Sequence, residues 1–506
     1  MRKKNSILNM IGSMGSYSMT LIFSFVTQAC IIRFLGIEYS GVNGLFTNII
    51  TMLSIAELGI GTTIIFKLYK PIAEKNKEEI KSWMKFYKIC YRYVALFVAI
   101  IGIILIPFVP AIVGKVTIPD NIIFLYIITL LDTVLSYIMT YKRSLLYADQ
   151  KNYVINIVHM GYVIFMNVTQ ILLLYLTKNY VVFLMIKLVY RLLENIIINI
   201  YVDKNYPYIN EKSKNIAKEE KQDLFNRIKA IFLQKVSFVI NKGIDSITIS
   251  FFLGIAAVGY YTNYNLIATA LSGIIFQIVS ALCASVGSLL TENDSEKSYA
   301  VYKKINMLNS FLTSVIIAGF IAAIQPFISL WLGEDYLLPN IVIISFSIYI
   351  YADSIRRSIT IYKEAAGICK EDQFMYVIMA LINLISSVLL CKWIGTSGVI
   401  LGTALSYLFL IIYSYPKYIF YPLFNKSYKE YYIENFKYLI FIIFTSCISF
   451  FIGKILFIRN FFLTFLLDGF LSVIVVTILF IFIYRKTEEF NFYIEFLNKL
   501  KTKLIK

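Results

Sequence analysis

Charge is what this 506-residue sequence has least of. Only 15% of its residues are Asp, Glu, Lys or Arg, 59% are hydrophobic, and the mean hydropathy is +0.72. A soluble chain of this length carries roughly a quarter charged residues and divides into about three domains. This chain cannot solvate such a surface. Histidine occurs once, as His159, and the six cysteines never form a C-x-x-C pair. That excludes the common zinc sites and thioredoxin-like redox chemistry. Cys30, Cys90, Cys283, Cys391 and Cys447 lie in or beside apolar runs, where a thiol packs as a small apolar group. No resident cofactor or metal is expected, a proton or sodium ion driving transport being the one small partner left open.

Long apolar runs are there in abundance. A membrane span takes about 20 mostly apolar residues, and the sequence offers about 14: 9–32, 41–65, 88–110, 120–141, 153–176, 180–202, 230–253, 263–288, 305–332, 339–362, 373–394, 397–420, 437–458 and 461–484. The expected fold is therefore an all-α integral membrane protein. Links as short as Thr177-Lys178-Asn179 force antiparallel hairpins.

The formal charge is +18, which in a soluble protein would suggest nucleic acid. Counted by loop, about 35 of the 48 Lys and Arg fall on one side of the spans, with about six on the other: Arg33, Lys115, Lys178, Lys392, Lys454 and Arg459. The rule that basic loops stay inside then puts both termini in the cytoplasm and removes any need for nucleic acid. The stretch from Tyr69 to Lys88 and the tail from Lys486 onward mix Lys with Phe, Tyr, Leu and Ile. They suit either anionic inner-leaflet lipid or a plain topology signal.

The sequence also repeats itself. Phe34-Leu35-Gly36-Ile37 matches Phe252-Leu253-Gly254-Ile255, Gly41 meets Gly259, Pro107-Phe108 meets Pro326-Phe327, Gly114 meets Gly333, Asp132 meets Asp353 and Tyr141-Lys142 meets Tyr362-Lys363. An even number of spans separates equivalent positions, so the repeats run in the same direction, related by an axis along the membrane normal. The expected organisation is an N-lobe over 1–202 (spans 1–6), a cytoplasmic linker over 203–229 with Lys212 and Lys214, a C-lobe over 230–420 (spans 7–12), spans 13–14 over 421–485, and a cytoplasmic tail over 486–506. Two pseudo-symmetric six-helix lobes describe an alternating-access transporter rather than an enzyme.

Two stretches carry a family likeness. Gly41-Val42-Asn43-Gly44-Leu45-Phe46-Thr47-Asn48-Ile49 through Ala56-Glu57-Leu58-Gly59-Ile60-Gly61, followed by Tyr69-Lys70-Pro71-Ile72-Ala73-Glu74, resembles the second helix and following loop of polysaccharide flippases of the Wzx type. Asn241-Lys242-Gly243-Ile244-Asp245-Ser246 and Val258-Gly259-Tyr260-Tyr261-Thr262-Asn263-Tyr264 resemble the matching later region. The resemblance implies the fold of the multidrug/oligosaccharidyl-lipid/polysaccharide exporter superfamily. It implies as substrate a lipid-linked oligosaccharide, the repeat unit on undecaprenyl diphosphate, moved from inner to outer leaflet for O-antigen or capsule. Polysaccharide polymerase and chain-length machinery are the protein partners it suggests.

Ionisable residues inside a span are costly and so mark candidate substrate or ion paths. On span 7, Lys242 and Asp245 are spaced i,i+3, fit either to neutralise each other or to contact substrate. Span 10 carries Asp353, Arg356 and Arg357, enough for one pair and one remaining cation. Span 6 carries Lys187 and Arg191 at i,i+4, with Glu194 one turn on. Arg33 is a further candidate for a diphosphate, or an interfacial anchor. Gln28 on polar span 1 and Asn48 on span 2 complete the candidate lining. Coupling candidates are Glu57, which has no cation at helical spacing, Asp245, the repeat-related pair Asp132 and Asp353, and His159, whose ordinary pKa suits a proton relay. The competing readings are a hydrogen bond to small polar residues of a neighbouring helix for Glu57, mutual neutralisation with Lys242 for Asp245, an inherited structural role or a symmetric hinge for Asp132 and Asp353, a hydrogen-bonded structural histidine for His159, and an internal ion pair for the charges of span 6. Two other transporters of the same fold stay open, a cation-coupled multidrug extruder and a lipid II flippase. A membrane glycosyltransferase or polymerase would need a sizeable outer loop bearing catalytic carboxylates, and the outer links are short.

Overall fold

The computed structural model describes residues 2–57, 60–211, 213, 216–455 and 460–504. Leu58 and Gly59 of the span 2 motif, Lys212 and Lys214 of the linker, and Arg459 lie outside the described residues. Among the described residues every regular element is helical.

A helix lies at each expected span. In order they are Arg2–Leu35, Ile37–Leu53 with Ile60–Ala73, Lys77–Leu105, Ile122–Thr140, Asn152–Thr177, Tyr180–Asn205, Lys218–Leu253, Ile255–Ser280, Ser295–Trp331, Asn340–Ile355 with Arg357–Ala366, Gln373–Ile394, Thr396–Phe409, Tyr428–Ile455 and Phe461–Tyr484. Eleven of the helical stretches are long and apolar enough to cross a membrane by length and composition alone. The remainder, spans 2, 6 and 10, fall short for physical reasons. Spans 2 and 10 are broken in the middle, and span 6 carries Lys187, Arg191 and Glu194. The three spans that a hydropathy criterion misses hold Glu57, Lys187, Arg191, Glu194, Asp353, Arg356 and Arg357, while Arg33, Asp132, Lys242 and Asp245 lie on spans that pass it.

Both breaks have local causes. Thr47, Thr51 and Ser54 each turn their hydroxyl back to the carbonyl four residues earlier, at 2.7, 2.7 and 2.9 Å. Such back-bonding competes with the helical ladder and bends it, and span 2 tightens into a 3₁₀ turn at Ser54–Glu57. In span 10 the helix restarts at Arg357, and the carbonyls of Ser354 and Ile355 are caught by the Asn309 side chain of span 9 at 3.0 and 3.2 Å. Hairpin turns are capped by asparagine and aspartate. Asn179 accepts from the Val182 N–H at 3.2 Å and Asp294 from the Lys297 N–H at 2.9 Å.

Several helices run past the hydrocarbon. Ser295–Trp331 has 37 residues, about 55 Å at 1.5 Å per residue, against a core of about 30 Å. The tail forms a further helix, Glu488–Leu504, docked on the projecting end of that helix. Glu489 pairs with Lys303 at 3.0 Å, and the Tyr493 hydroxyl donates to the Lys304 carbonyl at 2.9 Å. Burial alone would raise the Glu489 carboxyl, but the Lys303 ammonium holds it below its ordinary value.

By contacts the chain divides into two compact units, Met1–Asn263 and Tyr264–Lys506. In the first, span 1 packs along span 5, spans 4 and 5 against span 6, span 3 against span 4, and span 7 against span 2. In the second, span 9 is central to spans 10, 13 and 14, and span 12 packs between spans 10 and 11.

The internal repeat recurs in the backbone. Gly36 and Gly254, Lys75 and Asn293, and Gly114 and Gly333 all take positive φ at equivalent turns. Within the first unit two repeat-related glycines pack reciprocally. A Cβ on Gly41 would overlap the carbonyl oxygen of Ile255, and one on Gly259 would overlap the carbonyl oxygen of Ile37. Absence of a side chain is what lets spans 2 and 8 touch backbone to backbone. Because the obstacle is main chain, it cannot rotate away. Gly41→Ala and Gly259→Ala should each destabilise the protein by about 1–3 kcal/mol, read as a lowered unfolding midpoint in detergent. Gly161→Ala, with nothing within contact distance, should leave the midpoint unchanged; equal effects at all three sites would refute the close-contact account.

Candidate functional site

The break in span 2 opens a cleft of about 510 Å³ within the first unit. Its walls are Thr51, Ser54, Glu57 and Gly61 of span 2, Tyr87 and Tyr91 of span 3, Thr140, Arg143, Ser144 and Tyr147 at the end of span 4, and Lys235 and Val239 of span 7. Glu57 sits in the 3₁₀ turn and accepts a hydrogen bond from the Tyr91 hydroxyl. Tyr91 in turn packs edge-on to Tyr87, with centroids 4.5 Å apart. The cleft therefore combines two cations, one carboxylate, three phenols and four aliphatic hydroxyls. That inventory suits an anion bearing polar, ring-shaped groups. Arg supplies a fork for phosphate or carboxylate oxygens, and tyrosine supplies a flat face with a polar edge.

Behind the cleft lies a buried ionic network joining spans 4, 5 and 6. The Glu194 side chain is fully buried. Its carboxylate accepts from Nδ1 of His159 at 2.9 Å and pairs with Arg143 at 3.2 Å and Arg191 at 3.4 Å. Arg143 also donates to the Asn195 side-chain oxygen at 2.8 Å. Asp132 is held more loosely, by Lys187 at 3.9 Å and Arg191 at 3.8 Å, and the Arg191 guanidinium stacks 4.8 Å from the Tyr162 ring centre. Arg143, Lys187 and Arg191 against Asp132 and Glu194 leave an excess of one positive charge with His159 neutral. Arg143 is the shared member, since it lines the cleft and anchors the network. It is absent from the sequence-derived candidates because it follows the apolar run of span 4 and reads as a loop cation beside Lys142.

The other candidates are placed as follows. Gln28 is buried and donates to Ser40 at 2.5 Å and to Asn263 at 2.7 Å, tying spans 1, 2 and 8 together. Asn48 donates to Ser246 at 2.6 Å, a bridge from span 2 to span 7. Asp245 is buried and accepts from Tyr261 at 3.2 Å. Lys242 is exposed, its ammonium 5.1 Å from the Phe238 ring centre, and Arg33 is exposed. In the second unit Asp353 is bonded by both Arg356 and Arg357, the latter at 2.9 Å. The two guanidiniums also stack on Tyr407 at 4.5 Å and Phe276 at 4.8 Å. The expectation of one paired arginine and one left over becomes a single aspartate shared by two. The second unit also holds a carboxylate that the candidates omit: Asp468, in the middle of span 14.

Comparison with known proteins fits this architecture. The sequence profile of a family described as polysaccharide biosynthesis protein matches residues 4–283, more than half of the chain. The chain belongs to the polysaccharide biosynthesis protein family. No curated relative matches it in sequence. Among solved structures it is similar to the lipid II flippase MurJ in an inward closed conformation, at 16% identity and TM-score 0.67, over 94% of this chain and 99% of that one. It is also similar to an inward-facing multidrug resistance MATE family transporter of the MOP superfamily, at 12% identity and TM-score 0.62, over 77% and 91%. A point mutant of the Vibrio cholerae MATE transporter VcmN aligns at 12% identity and TM-score 0.51, over 80% and 95%. This member of the polysaccharide biosynthesis family is thus a multi-pass membrane protein with the fold shared by those transporters.

The network makes a stability prediction. Glu194→Gln removes the fully buried carboxylate that neutralises two half-buried arginines and should cost about 3–5 kcal/mol. Lys187→Ala breaks only a long, partly exposed contact and should cost under about 1 kcal/mol. Thermal unfolding in detergent reads both; a Glu194→Gln protein as stable as the parent would show that the charges are not coupled.

Proposed function

We propose that the protein is a flippase for oligosaccharide repeat units linked to undecaprenyl diphosphate. It carries them from the inner to the outer leaflet by alternating access, for O-antigen, capsule or another surface polysaccharide. The observation that carries this reading is the span 2 cleft, which Arg143 and Lys235 line together with Glu57, tyrosines and hydroxyls. It supplies cations for a diphosphate and polar and aromatic surface for sugars, in a chain of the polysaccharide biosynthesis family. The similarity to a lipid II flippase over almost the whole chain supports the same direction. A cation-coupled multidrug extruder would call for an acidic cleft, and here cations outnumber carboxylates.

In this reading, which the basic loops support, the cleft end of span 2 faces the cytoplasm of a bacterial inner membrane. A diphosphate would meet Arg143 and Lys235 on entry, while its polyprenyl tail stays in lipid. An inside-negative potential assists outward movement of an anion. Two charges across 100 mV gain roughly 4–5 kcal/mol. Glu57, bonded to Tyr91, is the carboxylate lining the same cleft, and would compete with the anion for its cations.

Deletion of the gene should leave lipid-linked repeat units on the cytoplasmic face, and normal surface polysaccharide in the deletion strain would overturn the proposal. Arg143→Ala at unchanged protein level should lower export by about 10- to 100-fold, the loss of one charge-assisted contact, with Arg143→Lys retaining part of it. Undiminished export in Arg143→Ala would remove this cleft from the path.

A further inference from the structure

Asp468 stands apart from every other buried acid of the spans described above. Glu194, Asp353, Asp132 and Asp245, and the half-buried Glu57, each have a cation or a hydroxyl donor. Asp468 is 1% exposed, and neither of its carboxylate oxygens has a hydrogen-bond partner. Among the described residues no Lys, Arg or His lies within ion-pair distance of it. A carboxylate removed from water and left unmatched costs several kcal/mol. Something must neutralise it, and the described residues supply nothing permanent.

The surroundings are built for a small occupant. Asp468 lines a cavity of about 360 Å³ inside the second unit, with Gln325 of span 9, Asn340 of span 10, and Gly453 and Thr464 of spans 13 and 14. Gly453 keeps the space open, because a Cβ there would sit 3.4 Å from the Ala322 carbonyl oxygen and 3.5 Å from Oδ2 of Asp468. A main-chain carbonyl of span 9 and the carboxylate thus face the same point. The antiparallel register that sets Gly453 beside Asp468 puts Ser449 level with Ser472 one turn deeper. Both serines are fully buried, and both hydroxyls are without partners. The charged groups sharing the cavity are Glu334, in the turn between spans 9 and 10, and Lys454, which is exposed with its ammonium 4.7 Å from the Phe450 ring centre. Gln325 is already committed, accepting from Tyr264 at 3.1 Å and donating to the Leu338 carbonyl at 2.7 Å.

We propose that Asp468 is the centre of an exchangeable monovalent-cation site, taking a proton or Na⁺. The cation enters from the end of the second unit where spans 9 and 10, and spans 13 and 14, are joined. A carboxylate, a carbonyl and hydroxyls are all hard oxygen donors, the type that binds alkali ions, and the same carboxylate with a proton becomes neutral and tolerable in an apolar wall. The site requires no assumption about what the protein transports.

The test uses the full-length protein in lipid nanodiscs, with ²²Na⁺ binding and infrared difference spectra of the protonated carboxyl band as the two readouts. If Na⁺ is the occupant, wild type binds ²²Na⁺ saturably, and binding weakens as protons compete. If the proton is the occupant, wild type shows a carboxyl band that disappears as pH rises and ignores Na⁺. In either case Asp468→Asn should abolish the signal, and Gly453→Val, which fills the space between Ala322 and Asp468, should weaken occupancy at least 10-fold. Wild-type protein with neither ²²Na⁺ binding nor a titrating carboxyl band would overturn the proposal whatever the variants do. Retention of the full signal in Asp468→Asn would also overturn it.

Discussion

The constraint on which this structure turns is the expense of carrying charge into a region without water. Hydrocarbon offers an ionised side chain no solvation, so every buried charge must be met by another group of the protein or of its cargo. The chain meets most of them with intramembrane partners drawn from neighbouring helices. Glu194 gathers His159, Arg143 and Arg191 across three spans, and Asp353 gathers two arginines one turn from a helix break. These clusters fix which helices can be adjacent, and through that the shape of each unit.

The same constraint connects the helix breaks with the cleft. A continuous apolar helix satisfies its own backbone and offers nothing to a polar cargo. Where span 2 is interrupted, hydroxyls and a carboxylate come to the surface of a cavity, and spans 3, 4 and 7 add phenols and cations around it. Where span 10 is interrupted, the freed carbonyls are taken up by Asn309, and that end stays closed around its ion pairs. One break is left open to an occupant and the other is sealed by span 9.

Much of this is legible in the sequence. The apolar runs, the short links and the repeat specify fourteen helical segments in the order observed, because in a membrane length and hydropathy are nearly the whole folding signal. Helix ends are less legible: Lys218–Leu253 and Ser295–Trp331 begin well before their apolar stretches, since a helix continues into water wherever caps and tertiary contacts support it. Which charges meet is not legible, because pairing across helices depends on rotation about each axis. Arg143 is hidden for a simpler reason, since three residues past an apolar run a cation reads as a topology signal. Asp468 does carry a sequence signal. A lone acid amid Phe461–Tyr484, the most apolar of the helices, is the pattern that marks it.

The reciprocal packing of Gly41 on Ile255 and of Gly259 on Ile37 has the form of an isologous interface, in which one patch contacts its own copy across a two-fold axis. Two half-length copies meeting through this glycine would form a homodimer, and a single chain makes that contact permanent. Joined in this way, the two copies need not stay identical. The break of span 2 lines an open cleft to which span 7 of the second copy adds Lys235, while the break of span 10 closes around paired charges, an asymmetry that a true homodimer cannot acquire.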